Sequence, residues 1–273
     1  MSVVNFEGLG LSININNVAL SIAGIKIYWY AIFIIIAVLA VLLLCKKDDG
    51  KYNIKFENIL EMAIFLLPIS IICARIYFVI FNLDYYLQDL SKILYISDGG
   101  LAIYGGIIGG VLTIYVYCKI KKIKFTDMCD YIVVFLPLAQ AIGRWGNFFN
   151  VEAHGIETMN IFRMGIIENG NYIQVHPTFL YESFFNIIIF IVLFLLRNKR
   201  KFKGQITCIY FILYGIIRAC IEGLRTDSLM LGNFRVSQIL SISLVFVFTI
   251  ILVYNTVKIN RIKNNKWSII IAR

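Results

Sequence analysis

Residues 18–44 read VALSIAGIKIYWYAIFIIIAVLAVLLL, and Cys45-Lys46-Lys47-Asp48-Asp49 follows at once. A membrane-spanning helix needs about 20 mostly apolar residues, and this run meets that length with Lys26 as its single charge. It is too long for a signal peptide, and lies too far from a basic leader or a small-residue cleavage site, so it is expected to remain in the mature protein. Working outward, six further apolar runs follow at roughly 59–81, 99–118, 128–142, 179–196, 206–221 and 236–257. The runs at 128–142 and 206–221 are short or interrupted by polar residues. Together the seven predict an all-α polytopic membrane protein with seven transmembrane helices. The 273 residues are read as a single integral membrane domain, residues 1–273.

Composition agrees. The chain is 60% hydrophobic and 15% charged, with a mean hydropathy of +0.80. Globular chains run nearer half apolar and a quarter charged, which argues against a soluble enzyme, a nucleic-acid binder or a disordered tail. The six cysteines (Cys45, Cys73, Cys118, Cys129, Cys208, Cys220) show neither a CxxC pair nor a metal-ligand spacing, so no disulfide framework and no metal site is read from them. No internal repeat or low-complexity tract is evident.

The net charge of +10 is mainly topological. Lys46, Lys47, Lys51 and Lys55 follow the first span. Lys119, Lys121, Lys122 and Lys124 follow the third. Arg197, Lys199, Arg200, Lys201 and Lys203 follow the fifth, and Lys258, Arg261, Lys263, Lys266 and Arg273 lie in the tail. With seven spans, these 18 of the 26 basic residues share one side. The positive-inside rule makes that side cytoplasmic and places the N-terminus outside. The expected location is therefore a membrane crossed by multiple passes, with the C-terminus cytoplasmic.

Eight basic residues remain. Lys92, Arg163 and Arg235 read as outer-loop surface, and Lys26, beside Tyr28-Trp29-Tyr30, as an interfacial anchor. Arg75, Arg144, Arg218 and Arg225 fall within or at the edge of spans, at the outer half by chain direction, and Tyr30 and Tyr104 reach a similar depth. Ionisable groups there cost a few kcal/mol each and often mark a working site. A guanidinium fork matches a phosphate, so an anionic lipid headgroup is the candidate ligand. The competing reading is internal pairing. Arg218 and Glu222 stand four apart on one helix, and Glu152, Glu182 and Asp227 are further candidate partners.

The densest polar signal is Gly143-Arg144-Trp145-Gly146-Asn147-Phe148-Phe149-Asn150-Val151-Glu152-Ala153-His154-Gly155, at the expected end of span four. Two glycines bracket the arginine and would permit tight turns and close backbone approach. Asn147, Asn150 and Glu152 supply amides and a carboxylate. Residues 144–178 are read as an extracytoplasmic signature segment and loop. Within it, the glycines and alternating apolar residues of 154–177 are compatible with a small extracytoplasmic subdomain between spans four and five, or with a plain solvated loop.

This signature resembles that of the bacterial phosphatidylglycerol–prolipoprotein diacylglyceryl transferases. The resemblance extends to Tyr28-Trp29-Tyr30, Arg75-Ile76, Asp98-Gly99-Gly100 with Tyr104-Gly105-Gly106, His176-Pro177-Thr178 with Leu180-Tyr181-Glu182, and Arg218, Glu222, Arg225 and Asp227. These are six ordered motifs across roughly residues 28–240. The resemblance implies transfer of the diacylglyceryl group of phosphatidylglycerol to the lipobox cysteine thiol of a preprolipoprotein signal peptide, with release of glycerol phosphate. That is the first step of lipoprotein maturation. It implies no metal, cofactor or nucleic acid; the partners are the lipid, the preprolipoprotein and the bilayer.

It further implies that Arg144 contacts the headgroup and that Arg225 shares phosphate neutralisation or shapes the pocket. Asn147, Glu152 and Gly155 would build the wall, Tyr30 would bound the lipid cavity, and Arg75 and Glu222 would complete the substrate site. One departure stands out: Tyr104 occupies the place of a histidine assigned as base for the thiol. A free tyrosine titrates at about 10, which makes it a poor base and a good hydrogen-bond donor. Tyr104 therefore enters the catalytic set without an assigned role. Of the two histidines, His154 is the candidate substitute base and His176 reads as structural. A phospholipid or anionic-solute transporter using the same arginines as a filter is the alternative. The absence of repeated halves and the gathering of charge at one face count against it.

Overall fold

Trp29 to Lys47 form one uninterrupted helix, α1. At 1.5 Å per residue it is about 28 Å long, enough to cross a hydrocarbon core of about 30 Å. The apolar residues before it are therefore not needed for the crossing, and they fold differently. The expectation of a span starting at Val18 is corrected: Val18–Ile22 and Ile25–Tyr28 are the strands β3 and β4 of an antiparallel hairpin. Gly24 takes a left-handed conformation (φ 83°) at its tip, where only glycine pays no steric cost.

This computed structural model describes residues 2–22, 24–95 and 99–271. Asp98 and Arg273, and the side chains of Lys263 and Lys266, lie outside the described residues. The other long helices are α2 (Phe56–Ile80), α4 (Ile103–Lys121), α5 (Phe125–Asn150), α6 (Thr178–Leu196), α7 (Gln205–Glu222) and α8 (Val236–Ile271), with a short α3 (Leu83–Tyr86). Seven of these helices are long and apolar enough to cross a membrane, so the chain is a multi-pass membrane protein. α5 runs eight residues past the expected end at Ile142, because Gly143 and Gly146 continue the helix rather than turning it. Arg144 is consequently a helical residue and not a loop residue.

The chain divides into two compact units, residues 44–131 and residues 1–43 with 132–273. In the first, α2 packs along α4. Gly105 and Gly109 are buried on α4, and a Cβ at Gly109 would meet Cys73 Cβ at 2.5 Å and its sulfur at 2.7 Å. Small residues four apart let two helix backbones approach closely where lipid offers no hydrophobic drive for association.

In the second unit, α7 packs against α6 and α8, with Phe211 and Phe248 stacked at 4.4 Å. An antiparallel four-stranded sheet, in the order β2-β1-β5-β6, joins the N-terminal strands β1 (Ser2–Phe6) and β2 (Leu11–Ile15) to β5 (Met164–Glu168) and β6 (Asn171–Val175). Alternate residues Val4 and Phe6, then Met164 and Ile166, turn inward as the two-residue period of a strand requires. They bury against Phe148 of α5 and Phe179 of α6, which stack at 4.8 Å. The 154–177 segment thus contributes half of a sheet, and the other half comes from the N-terminus. On the outer side Glu7 accepts hydrogen bonds from Tyr172 Oη (2.7 Å) and Gln174 Nε2 (2.5 Å).

Candidate active site

The second unit gathers three arginines about one buried carboxylate. Glu182, in the second turn of α6, is 2% exposed. Arg144 Nη2 from α5 lies 2.5 Å from its Oε2, and Arg218 Nη1 from α7 lies 2.7 Å from its Oε1. Arg225, just beyond α7, brings Nη1 within 3.6 Å of the same Oε1. A lone buried carboxylate would cost several kcal/mol; pairing with hydrogen-bonded cations offsets that. Glu222, also buried, closes the set with Arg218 Nη2 at 2.6 Å. This is the helical spacing of four read in the sequence. Arg235 donates to the Glu222 carbonyl and fixes the end of α7.

Internal pairing, one of the two readings left open for these arginines, is therefore present for all three. Exposure ranks them as external ligands. The Arg144 side chain is 22% exposed, against 14% for Arg218 and 12% for Arg225. Arg225 also gives Nε and Nη2 to Asp227 at 2.9 and 2.7 Å, a bidentate pair. Burial opposes both charges of that pair, yet mutual hydrogen bonding outweighs it. The Asp227 carboxyl is held below the usual carboxylate range and the Arg225 guanidinium is raised.

A polar chain leads outward from Arg144. Its Nη1 donates to Asn147 Oδ1 (3.2 Å), and Asn147 Nδ2 donates to Glu152 Oε1 (2.9 Å), which also accepts from Asn150 Nδ2 (3.2 Å). The chain turns back on itself because α5 ends with Val151 left-handed (φ 52°), followed by Ala153 (φ 57°). Such values in a β-branched residue cost about 1–3 kcal/mol and gather at functional sites. Here Val151 N–H and Glu152 N–H are satisfied by the Phe148 and Asn147 carbonyls, and Glu152 is folded back over the last helical turn.

The glycines of the signature act by close approach. A Cβ on Gly146 would sit 2.5 Å from the ring of Tyr30, so the bare backbone seats that half-exposed ring against α5. At Gly155 a Cβ would meet His176 Cβ at 2.7 Å and the Leu224 carbonyl at 3.0 Å. Gly155 pairs its N–H with the His176 carbonyl and bridges to Arg225, tying the post-α7 segment to the signature. Gly143 has open space around its α-carbon, so close approach does not explain it.

Both histidines are engaged. His154 is buried, with Nδ1 3.2 Å from the Gly155 carbonyl and Nε2 3.6 Å from Glu168. His176 places Nδ1 3.2 Å from Tyr181 Oη, and burial pushes its pKa down, favouring the neutral ring of a structural residue.

Arg75 and Tyr104 belong to the first unit. Arg75 is 6% exposed, and its five N–H donors all meet backbone carbonyls at 2.7–3.0 Å. Tyr104 sits half-buried in the first turn of α4. The sequence offers Arg218 as a headgroup ligand or an internal partner and Glu182 as a candidate partner only, and burying either charge in an apolar span is costly. That cost was the signal: a carboxylate in a helix otherwise rich in Phe, Ile and Leu needs a cation.

Comparison with known proteins identifies the family. A family model described as prolipoprotein diacylglyceryl transferase matches residues 17–254. The phosphatidylglycerol–prolipoprotein diacylglyceryl transferase of Clostridioides difficile (strain 630) is 48% identical over 227 residues, 83% of this chain and 90% of that one. The proteins of the same name from Clostridium novyi (strain NT) and Listeria monocytogenes serotype 4a (strain HCC23) are each 45% identical. They cover 89% of this chain and 97% and 91% of their own lengths. The chain belongs to the prolipoprotein diacylglyceryl transferase family.

Proposed function

We propose that this chain transfers the diacylglyceryl group of phosphatidylglycerol to the lipobox cysteine thiol of a preprolipoprotein. Its N-terminus and the arginine cluster would lie on the outer side of the cytoplasmic membrane, with the C-terminus inside. The observation that carries the site assignment is the α5–α6–α7 cluster, in which Arg144 is the most accessible of three guanidiniums held by Glu182.

In the reaction the thiol sulfur forms a bond to the glyceryl carbon, and the carbon–oxygen bond to phosphate breaks. The electron pair leaves on the phosphate oxygen, and the thiol proton ends on the departing glycerol phosphate. Negative charge grows on the phosphate as that bond breaks. A guanidinium already oriented by Glu182 and Asn147 stabilises this charge without reorganising. Arg218 stays with Glu182 and Glu222 as the frame, and Arg225 shapes the pocket through Asp227. Tyr30, seated on Gly146, bounds the lipid side, while Asn147, Glu152 and Gly155 form the wall. The family likeness carries Tyr104 into the catalytic set, where its hydroxyl would act as a hydrogen-bond donor.

The test incubates purified protein in vesicles with labelled phosphatidylglycerol and a lipobox peptide. A lipidated peptide and free glycerol phosphate are expected in equal amounts. Movement of the label between leaflets with no thioether formed would instead establish the transporter reading.

A further inference from the structure

The guanidinium of Arg75 is occupied in a way that a lipid-phosphate ligand would not be. Nε donates to the Ile93 carbonyl (3.0 Å), Nη1 to Gly99 and Gly100 (2.8 and 2.9 Å), and Nη2 to Lys92 and Tyr95 (2.7 and 3.0 Å). Arginine has five N–H donors in one plane, and here each meets a carbonyl at one end or the other of the 92–100 segment. The cation also lies 5.2 Å from the ring centroid of Tyr86. A bound phosphate would have to break these bonds.

Among the described residues, Leu94 is 83% exposed, and Arg75, Phe78, Tyr85, Tyr86 and Tyr95 are among those lining a cavity of about 260 Å³. At residues 92–95 and 99–100 the guanidinium, rather than close apolar packing, meets the backbone. The 99–100 end leads straight into α4. Gly99 and Gly100 are left-handed (φ 88° and 78°), and a Cβ on Gly100 would collide with Arg75 Nη1 and the Phe78 ring. Ala102 N–H then bonds the Ala74 carbonyl at 3.1 Å, beside Arg75 itself. Tyr104 follows within the first turn.

We propose that Arg75 is a positioning residue: its guanidinium clamps the carbonyls of Lys92, Ile93, Tyr95, Gly99 and Gly100 and so sets the first turn of α4, which presents Tyr104. The link to catalysis rests on the role given to Tyr104 above; the clamp itself rests on the hydrogen bonds alone.

The experiment compares wild type with Arg75→Lys, Arg75→Gln and Gly100→Ala in the vesicle transfer assay, together with amide hydrogen exchange. A lysine keeps the charge but offers three donors from a single point, which cannot serve five spread carbonyls. All three variants are expected to lose at least tenfold in kcat with KM for phosphatidylglycerol within twofold of wild type, and to exchange faster across residues 90–104. Gly100→Ala displaces the guanidinium without removing it, so it tests the clamp even if Arg75→Gln fails to fold. A KM raised tenfold by Arg75→Gln and restored by Arg75→Lys would show a phosphate ligand and overturn the proposal, as would unchanged exchange. Adding Tyr104→Phe to Arg75→Gln is expected to cost nothing further. If Tyr104→Phe alone is fully active, the role of Tyr104 falls, and the exchange rates still decide the clamp.

Discussion

Glu182 has the same chemistry as any carboxylate, but its surroundings make it the anchor of the cluster. It fixes one face of Arg144 and leaves that guanidinium the most accessible of the three. Arg144→Ala is expected to lower kcat/KM about 10²–10³-fold, the usual cost of removing one preorganised donor to developing charge. Arg144→Lys should recover only part, because a point charge cannot bond Glu182, Asn147 and a phosphate together. Near-normal turnover of the alanine variant would remove Arg144 from the reaction. The Arg225–Asp227 pair carries a pH signature. Because the folded Asp227 pKa is lowered, the pair's stabilisation is fully present above the usual carboxylate range, about pH 4–5. It is lost as the pH falls through the lowered value. Asp227→Asn should therefore melt below wild type at pH 7, with the gap closing as the pH falls through the lowered Asp227 pKa, below the usual carboxylate range. A gap independent of pH would show that the pair contributes no linkage.

Helix contacts in a membrane protein depend on shape more than on hydrophobicity, since lipid is as apolar as leucine. The α2–α4 contact through Gly105 and Gly109 follows this rule. Gly109→Leu would drive a side chain into Cys73, and overpacking of that kind costs about 1–3 kcal/mol. The expected outcome is a lower melting temperature in detergent, with the α7–α8 contact intact by cross-linking. An unchanged melting temperature would mean that the two helices separate freely. The hairpin of residues 18–28 teaches the opposite lesson about elements. Its composition is that of a span, yet Gly24 and the alternation around Ser21 and Lys26 turn it into two strands. A run of apolar residues sets no boundary by itself; here the helix begins only at Trp29.

For the molecule as a whole, the basic clusters after the first, third and fifth spans make a prediction about sidedness. A fluorescent reporter that folds only in the cytoplasm should light up at the C-terminus. A tag at the N-terminus should be cut by protease added outside spheroplasts. The reverse pattern would invert the orientation and place the arginine cluster at the inner leaflet, where the proposed reaction with an exported lipobox has no acceptor. If the expected pattern is found, most of the net charge of +10 orients the chain, and only a minority of the arginines is left for chemistry.

Span count, the concentration of polar residues after Ile142 and the family likeness were all legible in the chain, because apolar length, charge asymmetry and motif order are one-dimensional properties. Whether Arg144, Arg218 and Arg225 face a ligand or each other is not such a property. It depends on α5, α6 and α7 bringing their charges to one point, where a buried carboxylate must find cations within a few ångströms. Glu182 sits 36 residues from Arg218 and within one hydrogen bond of it. Likewise, nothing in the spacing of Arg75 announces that five carbonyls between Lys92 and Gly100 will use every donor it has. Hydropathy and charge patterning place residues at a depth; folding alone decides which of them spend their charge on one another.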